Sequence, residues 1–223
     1  MENSREQYKN KIFPITYYKD SIQNNDEIKN YLLPILNERY KNLKPPKSWI
    51  TNKLHTSFNR INDDCDELFF GGYNLYPKIL QESYKKCFEN FFDDEYLISI
   101  KSIWYNYYLN NEYQEWHDHL GSIFNPAHFA CIHFLSYDEE IHQPTVFQDP
   151  LKKIRDHSHE LEYNIGDSEH IPNIKEGDFL MFPSYLDHCV YPVKKSEKCS
   201  RITISFNVTL LKYGEQSYAD QKY

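Results

Sequence analysis

The sequence predicts a mainly β domain, an antiparallel sandwich or barrel with N-terminal helices packed on one side. Three observations predict it. Hydrophobic residues recur at helical spacing before about residue 95 and alternate after it. Aromatics make up 17% of the chain, chiefly 20 Tyr and 14 Phe, which suit a pleated surface better than a helix bundle. The strand-like runs are short and follow one another, without the strand–helix alternation of a parallel sheet.

Residues 12–18, "IFPITYY", read as an opening strand. In "NDEIKNYLLPILNERYKN", Ile28, Leu32, Ile35 and Leu36 fall at helical spacing behind a capping Asn25 or Asp26. Pro34 interrupts that pattern and predicts a kink or a late start. "KPPKSW" is a turn. "YNLYPKILQESYKKCFENFF" is the better helix: Pro77 suits its first turn, and Leu75, Ile79, Leu80, Cys87, Phe88 and Phe91 share a face. Strands then follow in "YLISIKSIWYNYYL", "HFACIHFLSY", "PTVFQDP", "GDFLMFPS", "HCVYPV" and "SRITISFNVTLL". The stretch from Lys152 to Glu176 is a polar connection.

At 223 residues one domain is expected. Residues 1–95 supply a strand and helices that pack on the sheet, 96–212 form the β core, and 213–223 are a tail. A net charge of −8 argues against non-specific nucleic-acid binding, which needs a basic face. No run of 18 apolar residues is present, so no membrane span is expected, and "MENSREQYKNKIF" lacks the apolar core of a signal peptide. Five cysteines without a CxxC read as reduced thiols in a cytosol-like compartment, with Cys131 plain core.

The last strand is the most informative. Ile202, Ile204, Phe206, Val208 and Leu210 alternate with Arg201, Thr203, Ser205, Asn207 and Thr209. The apolar face must be buried. The polar face either meets solvent, or lines a cavity in which Arg201 awaits an anion.

The stretch "NEYQEWHDHLGS" raises a related question. On a strand, residues i and i+2 point the same way, so His117 and His119 could present two imidazoles to one metal while Asp118 points off. His-x-His recurs at His157 and His159, so the pair alone is weak evidence. His188 and Arg201 strengthen it. A trio of nitrogen or oxygen ligands leaves positions open on a metal, as oxygen-activating iron requires. An arginine flanked by the hydroxyls of Thr203 and Ser205 can grip a carboxylate.

With these pieces, "WITNKLHTSF", "SIWYNYYLNNEYQEWHDHLGS", "FACIHFL", "TVFQDP", "EGDFLMFPSYLDHCVYP" and "RITISFNV", the chain resembles the iron(II)- and 2-oxoglutarate-dependent oxygenases. The likeness spans about residues 12–210 and is greatest to the short, prolyl-hydroxylase-like branch found in phages and marine bacteria. The resemblance implies a double-stranded β-helix (a jelly-roll, cupin-like fold) with residues 96–212 as its catalytic core. It implies iron on His117 and His188, and 2-oxoglutarate on Arg201 with Ser205 or Thr203. It also implies a further cofactor contact from Asn106, Tyr107 or Tyr108, among which the sequence does not choose.

The broad superfamily pattern is His-x-Asp/Glu…His. Position 119 departs from it, although His-x-His is usual in the branch. His119 is therefore expected as the second ligand, with Asp118 as the alternative if a bulge turns it inward. A neutral trio would leave the iron more positive. The implied activity is hydroxylation of an amino acid, a peptidyl residue or a small metabolite, with dioxygen as co-substrate, in the cytoplasm of a bacterium or of a virus-infected host. Two alternatives stay open: a cupin-like three-histidine metalloenzyme that uses no oxo-acid, and a non-catalytic β-helix binding module. His133 reads as a satisfied interior histidine. His55, His128, His142, His157, His159 and His170 read as surface or loop residues, with His128 within reach of a substrate if its loop folds over.

Overall fold

The computed structural model describes residues 15–44, 47, 49, 54–58, 78–92, 96–120, 127–152, 168–192 and 200–212. Pro77, Leu75, His157, His159 and the tail 213–223 lie outside them, as do residues 12–14 of the expected opening strand, of which 15–17 are not strand. The strand there, β1, is Tyr18–Ser21. Two helices follow, α1 (Asn25–Arg39) and α2 (Lys78–Phe91), with the two-residue β2 (His55–Thr56) between them. The strand block comprises β3 (Tyr96–Tyr108), β4 (Gln114–His117), β5 (Phe129–Ser136), β6 (Thr145–Gln148), β7 (Glu169–His170), β8 (Asp178–Pro183), β9 (His188–Val190) and β10 (Arg201–Lys212).

The strands form two antiparallel sheets. One has six strands in the order β1-β8-β5-β10-β3-β2, the other four in the order β4-β9-β6-β7. The helices cover the outer face of the larger sheet, and the smaller sheet covers its inner face. Its central strands are therefore buried on both sides. Along β8, Phe179 and Met181 join the helix-side core, while Leu180 and Phe182 join the core between the sheets. In β5 the same parity sends Cys131 and Leu135 outward and Ala130, Ile132 and Phe134 inward.

Helix α1 corrects two expectations. It starts on time and runs through Pro34. Ile28, Leu32 and Leu36 are each 0% exposed, and burying such side chains contributes about 1.5–3 kcal/mol apiece, enough to offset the roughly 3 kcal/mol cost of an internal proline. Asn25 is not the cap, which is Asn24; the Asn24 side chain makes no capping bond and instead accepts from the Ser83 hydroxyl of α2 at 2.8 Å. The Asn25 side chain turns into the core, its amide nitrogen donating to the Leu135 carbonyl at 3.3 Å. Gly177, at φ +83°, makes the turn into β8, where a Cβ would come within 3.2 Å of Asn25.

His133 is the interior histidine expected from the sequence. Its Nε2 donates to the Asn25 amide oxygen at 2.8 Å, so its Nδ1 accepts from the Tyr84 hydroxyl at 3.1 Å. The ring thus ties both helices to β5 in its neutral form. Of the histidines expected at the surface or in loops, His142 sits in a loop but is buried: its Nδ1 accepts from the Asp138 N–H. His128 is exposed and accepts from the Leu210 N–H. No helix among the described residues is long and apolar enough to cross a membrane.

Burial pushes the His133 pKa down to about 3. The unfolded chain, with an ordinary histidine near 6.5, takes up the proton first. The stabilisation is therefore complete above about pH 6.5 and is lost progressively as the pH falls toward 3. Unfolding free energies from urea titrations down this range should fall by up to about 1.4 kcal/mol per pH unit for this one proton. A His133→Gln variant should be less stable at neutral pH but show a slope shallower by that amount. An unchanged slope would assign the acid sensitivity elsewhere.

Candidate active site

The cross-strand register assembles a polar cavity between the sheets. Strand β3 pairs with β10 so that Tyr108 lies opposite Arg201, Asn106 opposite Thr203 and Trp104 opposite Ser205. All six side chains line one enclosed space, with Gln114, His117 and His119 from β4 and its exit, Thr145 from β6, and His188 from β9. The polar face of β10 is thus interior. Arg201 is 1% exposed, and its neighbours Thr203 and Ser205 are buried with it. Tyr107 has the opposite parity. It points to the helix side, stacks on Tyr40 at 4.3 Å and donates to the Asn37 amide oxygen at 2.8 Å.

Three imidazoles meet at one end of the cavity. His117 and His188 are direct cross-strand partners, with ring centroids 4.2 Å apart. His119 lies 5.3 Å from the first and 4.9 Å from the second. Strand β4 ends at His117, so strand alternation does not aim His119. Its backbone N–H donates to the Ser184 carbonyl at 2.8 Å, which seats it beside the turn before β9. Asp118 is exposed and accepts from the Leu120 N–H.

Each ring donates from Nδ1: His117 to the Glu115 carbonyl at 2.8 Å, His188 to the Leu186 carbonyl at 2.9 Å, and His119 to the Asn207 amide oxygen at 2.7 Å. An oxygen that can only accept forces the proton onto Nδ1 and leaves the Nε2 lone pair free to act. One ring nitrogen from each residue lies within 4.8 Å of the others, an arrangement able to hold a divalent metal. Burial lowers all three pKa values, and the crowding of the rings adds to it at His119, which falls to about 3, and at His188. The trio is therefore neutral, as ligation requires.

At the other end sits Arg201. Its guanidinium lies 4.7 Å from the Tyr108 ring and 5.4 Å from the Phe134 ring. Nη2 donates to the Thr145 hydroxyl at 3.2 Å, but Nε and Nη1 are buried without a protein partner, as is the Asn106 amide oxygen. Burial disfavours the cation and lowers the Arg201 pKa, yet an arginine stays charged. An enclosed cation with two unsatisfied N–H groups is suited to an anion.

Between the two ends lies Gln114, which sequence reading missed. The Tyr108 hydroxyl donates to its Oε1 at 2.7 Å, and its Nε2 donates to His117 Nε2 at 3.1 Å. With Gln114 so placed the cavity is about 10 Å³, room for little more than one water. Thr145 and Asn207 were also missed as partners of site residues. No local signal marks them, because their roles arise from register across the fold.

A sequence model of the family described as "Putative 2OG-Fe(II) oxygenase" matches residues 102–207. No curated protein matches the sequence. Among solved structures, the chain is similar to a prolyl-4-hydroxylase from Pseudomonas putida, at 8% identity over 86% of this chain and 92% of that one, with a TM-score of 0.54. It is similar to a prolyl hydroxylase from Trichoplax adhaerens, solved with a peptide fragment of a hypoxia inducible factor oxygen degradation domain, at 11% identity over 86% and 82%, with a TM-score of 0.54. It also resembles a viral collagen prolyl hydroxylase from Paramecium Bursaria Chlorella virus-1, solved with 2-oxoglutarate, at 13% identity over 86% and 94%, with a TM-score of 0.50. Identities this low speak to the fold. The family match runs through every residue that lines the polar cavity, and these residues give the chain the site of a dioxygenase of double-stranded β-helix fold that uses iron(II) and 2-oxoglutarate.

Proposed function

We propose that the enzyme is a hydroxylase of an amino acid, a peptidyl residue or a small metabolite, with iron held by His117, His119 and His188 and 2-oxoglutarate anchored by Arg201. The observation that carries this assignment is the pairing, across one buried cavity, of three Nε2 lone pairs with a guanidinium that has two unpartnered N–H groups. The donor sets fit both groups. Iron(II) with 2-oxoglutarate and dioxygen supplies an oxidant able to hydroxylate an unreactive C–H bond, with succinate and carbon dioxide as co-products.

The chain's own residues do the rest. Arg201 would hold the distal carboxylate, and Thr203, Ser205 and Asn106 line the same cavity and could accept or donate hydrogen bonds. Tyr108 and Phe134 wall the guanidinium off from water and so strengthen its charge-assisted bonds. Gln114 must move first. Its amide N–H occupies the His117 Nε2 lone pair, and a metal and a proton donor cannot share that lone pair. Gln114 would have to leave the ring for His117 to hold a metal, and its departure would open room in the cavity for the oxo-acid.

Three variants test this. In anaerobic calorimetry on protein loaded with a redox-inert divalent ion, Arg201→Met should weaken 2-oxoglutarate by about ten- to a hundredfold while leaving metal affinity in place. Equal oxo-acid affinity in both proteins would remove the anchor. Asn207→Leu deletes the acceptor that holds the His119 tautomer and should cost about ten- to a hundredfold in metal affinity. Gln114→Ala, by contrast, removes a competitor worth about 0.5–1.5 kcal/mol and should tighten the metal severalfold. Weaker metal binding in Gln114→Ala would make Gln114 a support of the site instead.

A further inference from the structure

We infer that the substrate is a small molecule bearing an alkylated, positively charged nitrogen. This rests on the oxygenase assignment and concerns the outer part of the same site. A cleft of about 420 Å³ opens from His117 and His119, a size typical of small-molecule sites. The chain has three tryptophans, and all three (Trp49, Trp104 and Trp116) border this cleft together with Phe58. The rings form a continuous wall. Trp49 and Phe58 lie 5.4 Å apart, Phe58 meets Trp104 edge-on at 5.0 Å, and Trp104 lies 5.5 Å from His119. Trp49 closes the run at 6.5 Å from His117.

The charge of the cleft is one-sided. Among the described residues that border it, Glu115 and Asp118 are acids, and none is a lysine or arginine. Aromatic walls alone would suit any apolar group. Indole faces joined to carboxylates single out a cation, because the ring quadrupole and the acids attract the same sign of charge. A quaternary or tertiary ammonium is weakly hydrated and presents methyl groups to the rings, so it enters such a cleft at less desolvation cost than a primary amine. With its charged end on the tryptophans, a carbon a few bonds away lies next to the histidine trio. The indole positions thus set which C–H bond is exposed.

The test uses the tryptophans as their own reporters. The protein loaded with zinc(II) and 2-oxoglutarate is titrated with choline and with 3,3-dimethylbutanol, its uncharged isostere, and indole fluorescence is followed. Choline should quench saturably and bind about two- to thirtyfold tighter than the alcohol. In the double variant Glu115→Gln, Asp118→Asn that preference should shrink, while the alcohol's affinity and that of 2-oxoglutarate stay as in the parent. Retained 2-oxoglutarate binding also shows that the variant is folded. Equal affinity for choline and the alcohol, or no saturable quenching by choline, overturns the cationic substrate while leaving the oxygenase site intact. Failure of 2-oxoglutarate to bind the parent protein would instead overturn the cofactor assignment on which the inference rests.

Discussion

Strand β10 is buried on two faces of opposite polarity, and the rest of the architecture follows from having to satisfy both. It lies inside the six-stranded sheet, between β5 and β3, so its backbone is bonded on either side. Its outer face of Ile202, Ile204, Phe206 and Val208 needs an apolar cover, which α1 and α2 provide. Its inner face of Arg201, Thr203 and Ser205 needs polar company, which β3 and the second sheet provide. Enclosing a guanidinium is costly unless its charge is answered, and the cost is carried by the apolar packing on the reverse side of the same strand. The helix layer thus supports the cavity from behind, although among the described residues no helix residue lines it.

Much of this could be read from the chain because alternation with strong polarity contrast leaves few choices. The contrast along 201–210 revealed two distinct faces, and the motif around His188 placed a histidine at a strand start, where β9 begins. Where contrast is absent the sequence was silent. Along β3, Trp104, Asn106 and Tyr108 face the cavity while Ile103, Tyr105 and Tyr107 face the helices. Aromatics occupy both sets, so only the pairing of Tyr108 with Arg201 fixes the phase. Asn25 was misread for a different reason. Its local signal is that of a helix cap, but a buried histidine on a distant strand competes for its amide and wins. His119 was reached by an argument from strand alternation, whereas the actual cause is a backbone bond to Ser184 beyond the end of β4.

The two buried histidine environments also differ in kind. His133 is closed on both nitrogens by side chains, Asn25 and Tyr84, and so has nothing left with which to bind a ligand. Each member of the trio is closed on Nδ1, and His117 alone of the three has a protein partner on Nε2, the Gln114 amide. Lowered basicity is common to all four, so it does not separate a structural histidine from a reactive one. The grouping does: the ring nitrogens of the trio converge within 4.8 Å of one another, whereas His133 is bonded to the helices.

The Nδ1 partners have a further consequence for how the site can change over time. The rings at 117 and 188 are oriented by the main-chain carbonyls of Glu115 and Leu186, each two residues upstream. Those acceptors survive any replacement of the side chains that bear them, so the orientation is written into the chain path and is insulated from mutation. The ring at 119 is held by a side chain, Asn207. An amide is two-sided: turned over, it offers N–H in place of oxygen. A carboxylate arriving at position 119 would thus find a donor already waiting in the same Asn207. Two of the three rings are thus oriented by the main chain and the third by a side-chain amide whose hydrogen-bond polarity can be reversed.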